Sequence, residues 1–187
     1  MIRFHFNERK AAHAAATVLR QAGGRLSYMV LIKLLYLADR ECLKEIGATI
    51  TGDRYVSMNH GPVLSQVLDL ITEGPRPDAP SPWFQYISAP DSYDVQLAND
   101  VSDAELDELS DYEAALLKDA WDSYGKIPKW DLVDILHRSL PEWTDPQGSA
   151  KPIKPEDMLR ATGKSEDEIR EIESDQAAAA LDVLLRR

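Results

Sequence analysis

Cysteine is almost missing from this chain of 187 residues, where Cys42 stands alone. That excludes an intramolecular disulfide framework and any cysteine-only zinc cluster, and it fits a reducing compartment. Histidine is scarce and poorly spaced for a metal: His5, His13, His60 and His137 include no pair at i, i+3 or i, i+4, so no metal site is expected. No glycine-rich phosphate loop is present. Gly23-Gly24-Arg25 has neither Walker nor dinucleotide spacing and reads as a helix stop. No Gly-x-Ser-x-Gly marks a serine hydrolase. Long apolar runs are missing as well. The most apolar stretch, residues 28–38, spans 11 positions and contains Lys33, against the roughly 20 that a bilayer demands. The alanine-rich stretch 11–19 is interrupted by His13 and follows Asn7-Glu8-Arg9-Lys10, so it reads as a soluble helix, not as a signal peptide. The expectation is a cytoplasmic protein without cofactor or membrane partner.

Basic charge is lacking in one half. Residues 1–90 hold 10 Lys and Arg against 8 Asp and Glu, whereas residues 91–187 hold 11 against 24, for a formal net charge of -11. This argues against direct binding to nucleic acid or an anionic membrane. The acidic half is either a solvated surface or a docking face for a basic partner. The hydrophobic fraction of 44% and charged fraction of 28% are those of a globular chain long enough to bury one core unaided.

Helix signals dominate. Asn7 is placed to cap a helix that stops at Gly23-Gly24, and Ser27 to cap a second one from Tyr28 to about Glu45, closed by Gly47. The second is apolar in nearly every direction, as a helix surrounded by protein must be. Ser102/Glu105, Ser110/Glu113 and Ser165/Glu168 each match the Ser-x-x-Glu capping box. They predict helices over 103–109, 110–124 and 165–186, with others at 128–138 and 155–162. Thr49-Ile50-Thr51 and Arg54-Tyr55-Val56 about Gly52-Asp53 read as a β-hairpin. His60-Gly61-Pro62-Val63 then opens a helix carrying Val63, Val67, Leu68 and Ile71, with Pro62 in its first turn. Residues 83–87 and 93–97 read as a second hairpin, residues 74–82 as a proline-rich loop, and 141–155 as a connection anchored by Trp143. The expected fold is mainly α with small antiparallel β-hairpins (α+β). It forms a single compact helical domain over 1–187, with 1–8 and 176–187 as terminal extensions.

Four residues stand out chemically. Lys33 lies inside an apolar helix face, where an unpaired ammonium is costly. It must reach water along its stem or meet a carboxylate or carbonyl inside the fold. Asp39, Arg54 and His60 are the others, and His60 beside Gly61 either holds a ligand or satisfies loop carbonyls. Cys42, at i+4 from Ala38 and i+7 from Leu35, falls on the core stripe and is expected to be buried and inert. Carboxylate pairs such as Asp103/Asp107 and Glu168/Glu171 are explained by solubility.

One string carries more. It runs Lys33-Leu34-Leu35-Tyr36-Leu37-Ala38-Asp39, then Gly47, Ile50-Thr51-Gly52-Asp53, Tyr55, Met58 and His60-Gly61-Pro62-Val63. Downstream come Leu109-Ser110-Asp111-Tyr112-Glu113, Trp130-Asp131-Leu132, His137-Arg138 and Leu140-Pro141-Glu142-Trp143. In this order they closely resemble the Panacea antitoxin domain, also described as SocA-like or phage-associated GepA-like, over roughly residues 9–175. The resemblance implies a non-enzymatic antitoxin of a type II toxin–antitoxin pair. Its partner would be a cognate protein toxin, neutralised by direct contact; the SocA branch also delivers its toxin to the ClpXP protease as an adaptor. The expected toxin-binding surface is Arg54, Tyr55, His60, Gly61 and Pro62, with Lys33, Tyr36 and Asp39 beneath, although for Tyr36 and Pro62 closing the core around the hairpin is the favoured reading. The rival reading is an enzyme or small-ligand binder with a pocket around Lys33, Asp39, Arg54 and His60. A DNA-binding autorepressor is disfavoured by the acidity and by the lack of a basic domain.

Overall fold

The computed structural model describes residues 1–75, 78 and 80–185. The expected terminal residues Arg186 and Arg187, and Arg76, Pro77 and Ala79 of the proline loop, lie outside the described residues. Helix α1 (Glu8–Gln21) is capped by Asn7, whose side chain accepts from Lys10 N. Gly24 N returns to Leu19 O at 2.8 Å and ends it. Strand β1 (Arg25–Ser27) leads into helix α2 (Tyr28–Ile46). Ser27 stands at the N-cap but its side chain makes no capping bond. Gly47, in the left-handed region, closes α2 as expected.

Helix α2 is the axis of the fold. Its buried set includes Val30, Leu31, Ile32, Leu34, Leu35, Tyr36, Ala38, Cys42 and Leu43. It packs against α1, β3 (Gly61–Leu64), α5 (Asp111–Tyr124), α6 (Lys129–Ser139) and α7 (Pro155–Ala161). Being apolar all round is therefore a consequence of neighbours on every side, each buried Leu contributing about 2 kcal/mol. The capping boxes at Ser102, Ser110 and Ser165 all form. The first opens only a 3-10 turn at Asp103–Glu105; the third opens α8 (Glu166–Leu185).

The strands differ from the expected hairpins. Strand β2 (Tyr55–Met58) pairs antiparallel with β3 around a two-residue loop, Asn59-His60, while β5 (Lys151–Ile153) pairs on its other side. Residues 49–54 are not a strand, because the Ile50 and Thr51 N–H groups are taken by a side chain (below). Pro62 and Pro152 sit in the two edge strands, where a missing N–H costs no ladder bond and blunts the edge. Pro62 therefore lies in β3, not in a helical first turn, and α3 (Ser65–Glu73) begins three residues later.

The second expected hairpin is also revised. Residues Trp83–Tyr86 form a short helix, α4, that buries Trp83 completely. Strand β4 (Asp94–Gln96) pairs with β1, leaving an Ile87–Leu97 bridge as the remnant of the expected pairing. In the N-terminal extension Ile2 is buried, and Phe4 and Phe6 pack against the core. No helix among the described residues is long and apolar enough to cross a membrane.

Candidate functional site

The conspicuous polar residues of α2 do structural work. Asp39 is completely buried. Its Oδ1 accepts from Ile50 N at 2.7 Å and Thr51 N at 3.0 Å, and its Oδ2 accepts from the Thr51 hydroxyl and from Tyr55 Oη at 2.9 Å. One carboxylate thus ties the segment after α2 and the start of β2 to the helix. Burial pushes its pKa up to about 6 although the bonds from Thr51, Tyr55 and Ile50 pull the other way. Asp53 plays the same part for α3, accepting from Gln66 N and Val67 N at 2.9 Å each.

Tyr36 packs edge-on against Tyr55 with ring centres 5.6 Å apart, and its hydroxyl donates to Glu142 Oε1 at 2.9 Å. Arg40 Nε donates to the same oxygen at 2.6 Å. This network pins the Leu140-Pro141-Glu142-Trp143 segment to α2. Trp143 completes the anchor, its Nε1 donating to Met58 O at 3.1 Å.

Lys33 is 2% exposed, and its Nζ donates to Pro62 O at 2.8 Å. The carbonyl alternative is the one realised. Burial lowers its pKa to about 7. Gly61, at φ +100°, makes this approach possible, since a Cβ there would stand 3.2 Å from Lys33 Nζ and 3.8 Å from His137 Nε2. The His137 ring stacks on Trp143 at 3.8 Å, and its buried Nε2 has no hydrogen-bond partner among the described residues. Burial first, then the nearby Lys33 ammonium, hold the His137 pKa low. Cys42 is buried and its thiol pushed up to about 12, chiefly by desolvation. Among the described residues no group of three or more His, Cys, Asp or Glu side chains could hold a metal.

The expected surface therefore does not form one face. Tyr55, Gly61 and Pro62 are buried, as are Lys33, Tyr36 and Asp39. Arg54 and His60 are exposed but border different hollows: Arg54 lines clefts shared with Asp69, whereas His60 and Lys33 line a separate cavity of about 350 Å³. Of the rival pocket's four residues, Lys33 and His60 line one cavity, whose walls include neither Asp39 nor Arg54. The reason is that β2 alternates inward and outward, and the Asp39 carboxylate draws Tyr55 inward.

What the structure adds is an aromatic crescent beside that cavity. Tyr28, on the cavity wall, lies 6.2 Å from Tyr93. Lys129 Nζ sits 5.9 Å from the Tyr93 ring and 5.3 Å from the Trp130 ring. Trp130 meets His60 edge-on at 5.2 Å. Tyr93 and Trp130 are 68% and 52% exposed, high values for side chains of this size. Sequence reasoning singled out His60, named Trp130 only within the family string and Tyr28 only as the first residue of the core helix, and gave Tyr93 and Lys129 no part in the surface. A signal existed for Trp130: α6 buries Leu132, Val133 and Leu136, which leaves Trp130 at the edge of that buried face.

The family model described as antitoxin SocA-like, Panacea domain, matches residues 31–144, more than half of the chain. The matched stretch includes Lys33, the β2–β3 hairpin, Trp130 and Glu142. No curated protein and no solved structure matches.

Proposed function

This chain belongs to the antitoxin SocA-like, Panacea domain family, and from that membership we propose that it is a cytoplasmic antitoxin of a type II pair. It binds a cognate protein toxin and masks the surface with which the toxin works. The observation that carries the choice of surface is the crescent of Tyr28, Tyr93, Lys129, Trp130 and His60 at the mouth of a cavity. Exposed Trp and Tyr beside a hollow are the side chains that dominate protein interfaces, where a few anchors supply most of the affinity. An interface of about 800 Å² per partner suffices for stable masking. Of the residues expected from the sequence, His60 belongs to this surface directly. Gly61, Pro62 and Lys33 set the hairpin that presents it, and Tyr36, Asp39 and Tyr55 brace the hairpin from within. Neutralisation by masking asks for no catalytic group on this chain.

Co-expression with the protein encoded beside it tests the reading. A neighbour that arrests growth alone and is harmless with this chain present, in a complex that co-purifies, supports it. A harmless neighbour that forms no complex overturns it. Delivery to ClpXP is a separable property. It requires the toxin half-life to shorten when this chain is present, and an unchanged half-life leaves masking alone.

A further inference from the structure

The cavity below the crescent has a composition the masking role does not require. Its walls include Met29, Ile32, Met58 and Val63, with Lys33 as the one formally charged residue among those that line it. At about 350 Å³ it has the size and apolar character of small-molecule sites, which combine such walls with a few polar groups that orient the ligand. Lys33 is buried with one hydrogen bond, to a backbone carbonyl, and with no ion pair among the described residues. An ammonium has three N–H donors, so most of its hydrogen-bonding capacity is unused. The neighbouring titratable groups are His60 at the hairpin loop and His137 on α6; the carboxylates of Asp134 and Asp145 act on His137, but burial alone accounts for the shift at Lys33. A buried cation with no carboxylate paired to it among the described residues invites an anion from outside.

We infer that this cavity binds a small apolar monocarboxylate, its carboxylate received by Lys33 and its hydrocarbon body held against Met29, Ile32, Met58 and Val63. Such a ligand supplies both missing elements, the counter-charge for the ammonium and the apolar surface for the walls. The inference does not depend on the antitoxin reading. Because burial brings Lys33 to about pH 7, an arriving carboxylate restores its proton. Binding near neutral pH is then accompanied by uptake of about half a proton.

Calorimetric titration of the full chain with hexanoate, hexanol and hexylammonium tests this. Expected is one hexanoate per chain, bound at least about tenfold more tightly than hexanol, the difference a charge-assisted hydrogen bond makes, with hexylammonium silent. Lys33→Met is expected to remove the preference for hexanoate over hexanol. It should also remove the proton uptake, read by repeating the titration in buffers of different ionisation enthalpy; uptake that persists belongs to His60 or His137 and overturns the assignment to Lys33. Ser149 is an exposed residue of the cavity rim. Ser149→Trp therefore plugs the mouth without touching the core, and should abolish binding even if Lys33→Met folds poorly. Equal affinity for hexanol and hexanoate, no hexanoate binding at millimolar concentration, or hexanoate binding that survives Ser149→Trp each overturns the proposal.

Discussion

The Tyr55 hydroxyl donates to Asp39 Oδ2 at 2.9 Å, joining the first residue of β2 to the middle of the core helix. That carboxylate ties the start of the hairpin that presents His60 to the core helix. It also receives two N–H groups and the Thr51 hydroxyl.

Asp39→Ala leaves those donors buried and unpaired, and is expected to destabilise the fold by about 4 kcal/mol, since each stranded group costs about 1–3 kcal/mol. Asp39→Asn keeps one acceptor oxygen and loses less. The pH dependence has a definite sign. The folded pKa of about 6 lies above the ordinary 3.8, so the Asp39 contribution is full below the lower value and is lost as pH rises through the upper. Chemical denaturation from pH 4 to pH 6.5 should show wild type losing stability relative to Asp39→Asn. Parallel curves would mean that Asp39 is not strained by its ionisation.

Lys33 titrates with the opposite consequence. Its folded pKa, about 7, lies below the ordinary 10.5, so its contribution is present above 10.5 and lost as pH falls towards 7. Subtracting the Lys33→Met stability from that of wild type between pH 7 and pH 10 isolates it, and the difference should grow in favour of wild type as pH rises. A flat difference would place the ammonium in contact with water.

Trp130→Ala and Tyr93→Ala should each weaken the toxin complex by about 2 kcal/mol, roughly 30-fold, as interface anchors do. Both side chains are more than half exposed, so melting should stay close to wild type, within about 0.5 kcal/mol. Full neutralisation by the double variant would move the interface elsewhere. By contrast, Tyr55→Ala should unfold or loosen the protein, because that ring is buried against Tyr36.

Cys42 should not react with a disulfide-exchange reagent in the native state. Its thiol is buried and held near pH 12, and only the thiolate attacks. Labelling should appear only with unfolding. Rapid stoichiometric labelling of folded protein would contradict the packing of α2.

Local signals were legible to the extent that their partners are local. The capping boxes read correctly because Ser110 and Glu113 lie in one turn and meet whatever the rest of the chain does. The end of α2 followed from Gly47 for the same reason, its N–H returning to Leu43 O, whereas at the start Ser27 makes no capping bond and Tyr28 N donates to the distant Tyr93 O. Hairpin register was read less well. Thr49-Ile50-Thr51 has strand composition, but the Asp39 carboxylate claims its N–H groups, and Tyr55–Met58 pairs instead with residues that looked like the start of a helix. Trp83–Tyr86 likewise has strand composition and folds as a helical turn, because burying Trp83 takes precedence over weak local preference. The candidate surface was half legible. His60 was read from its own neighbourhood, but Tyr93 and Trp130 reach it from elements far along the chain.

By itself, the sequence determined the helical class, the core helix and the capping boxes, which rest on residue order and short-range periodicity, and its motif string carried the family resemblance. Only the tertiary structure decided which polar residues brace the fold and which reach its surface. Lys33 with Pro62, Tyr36 with Glu142 and His60 with Trp130 are separated by 29, 106 and 70 residues. Such contacts form when packing brings whole elements together, and a side chain's neighbours across that distance leave no mark in its local pattern.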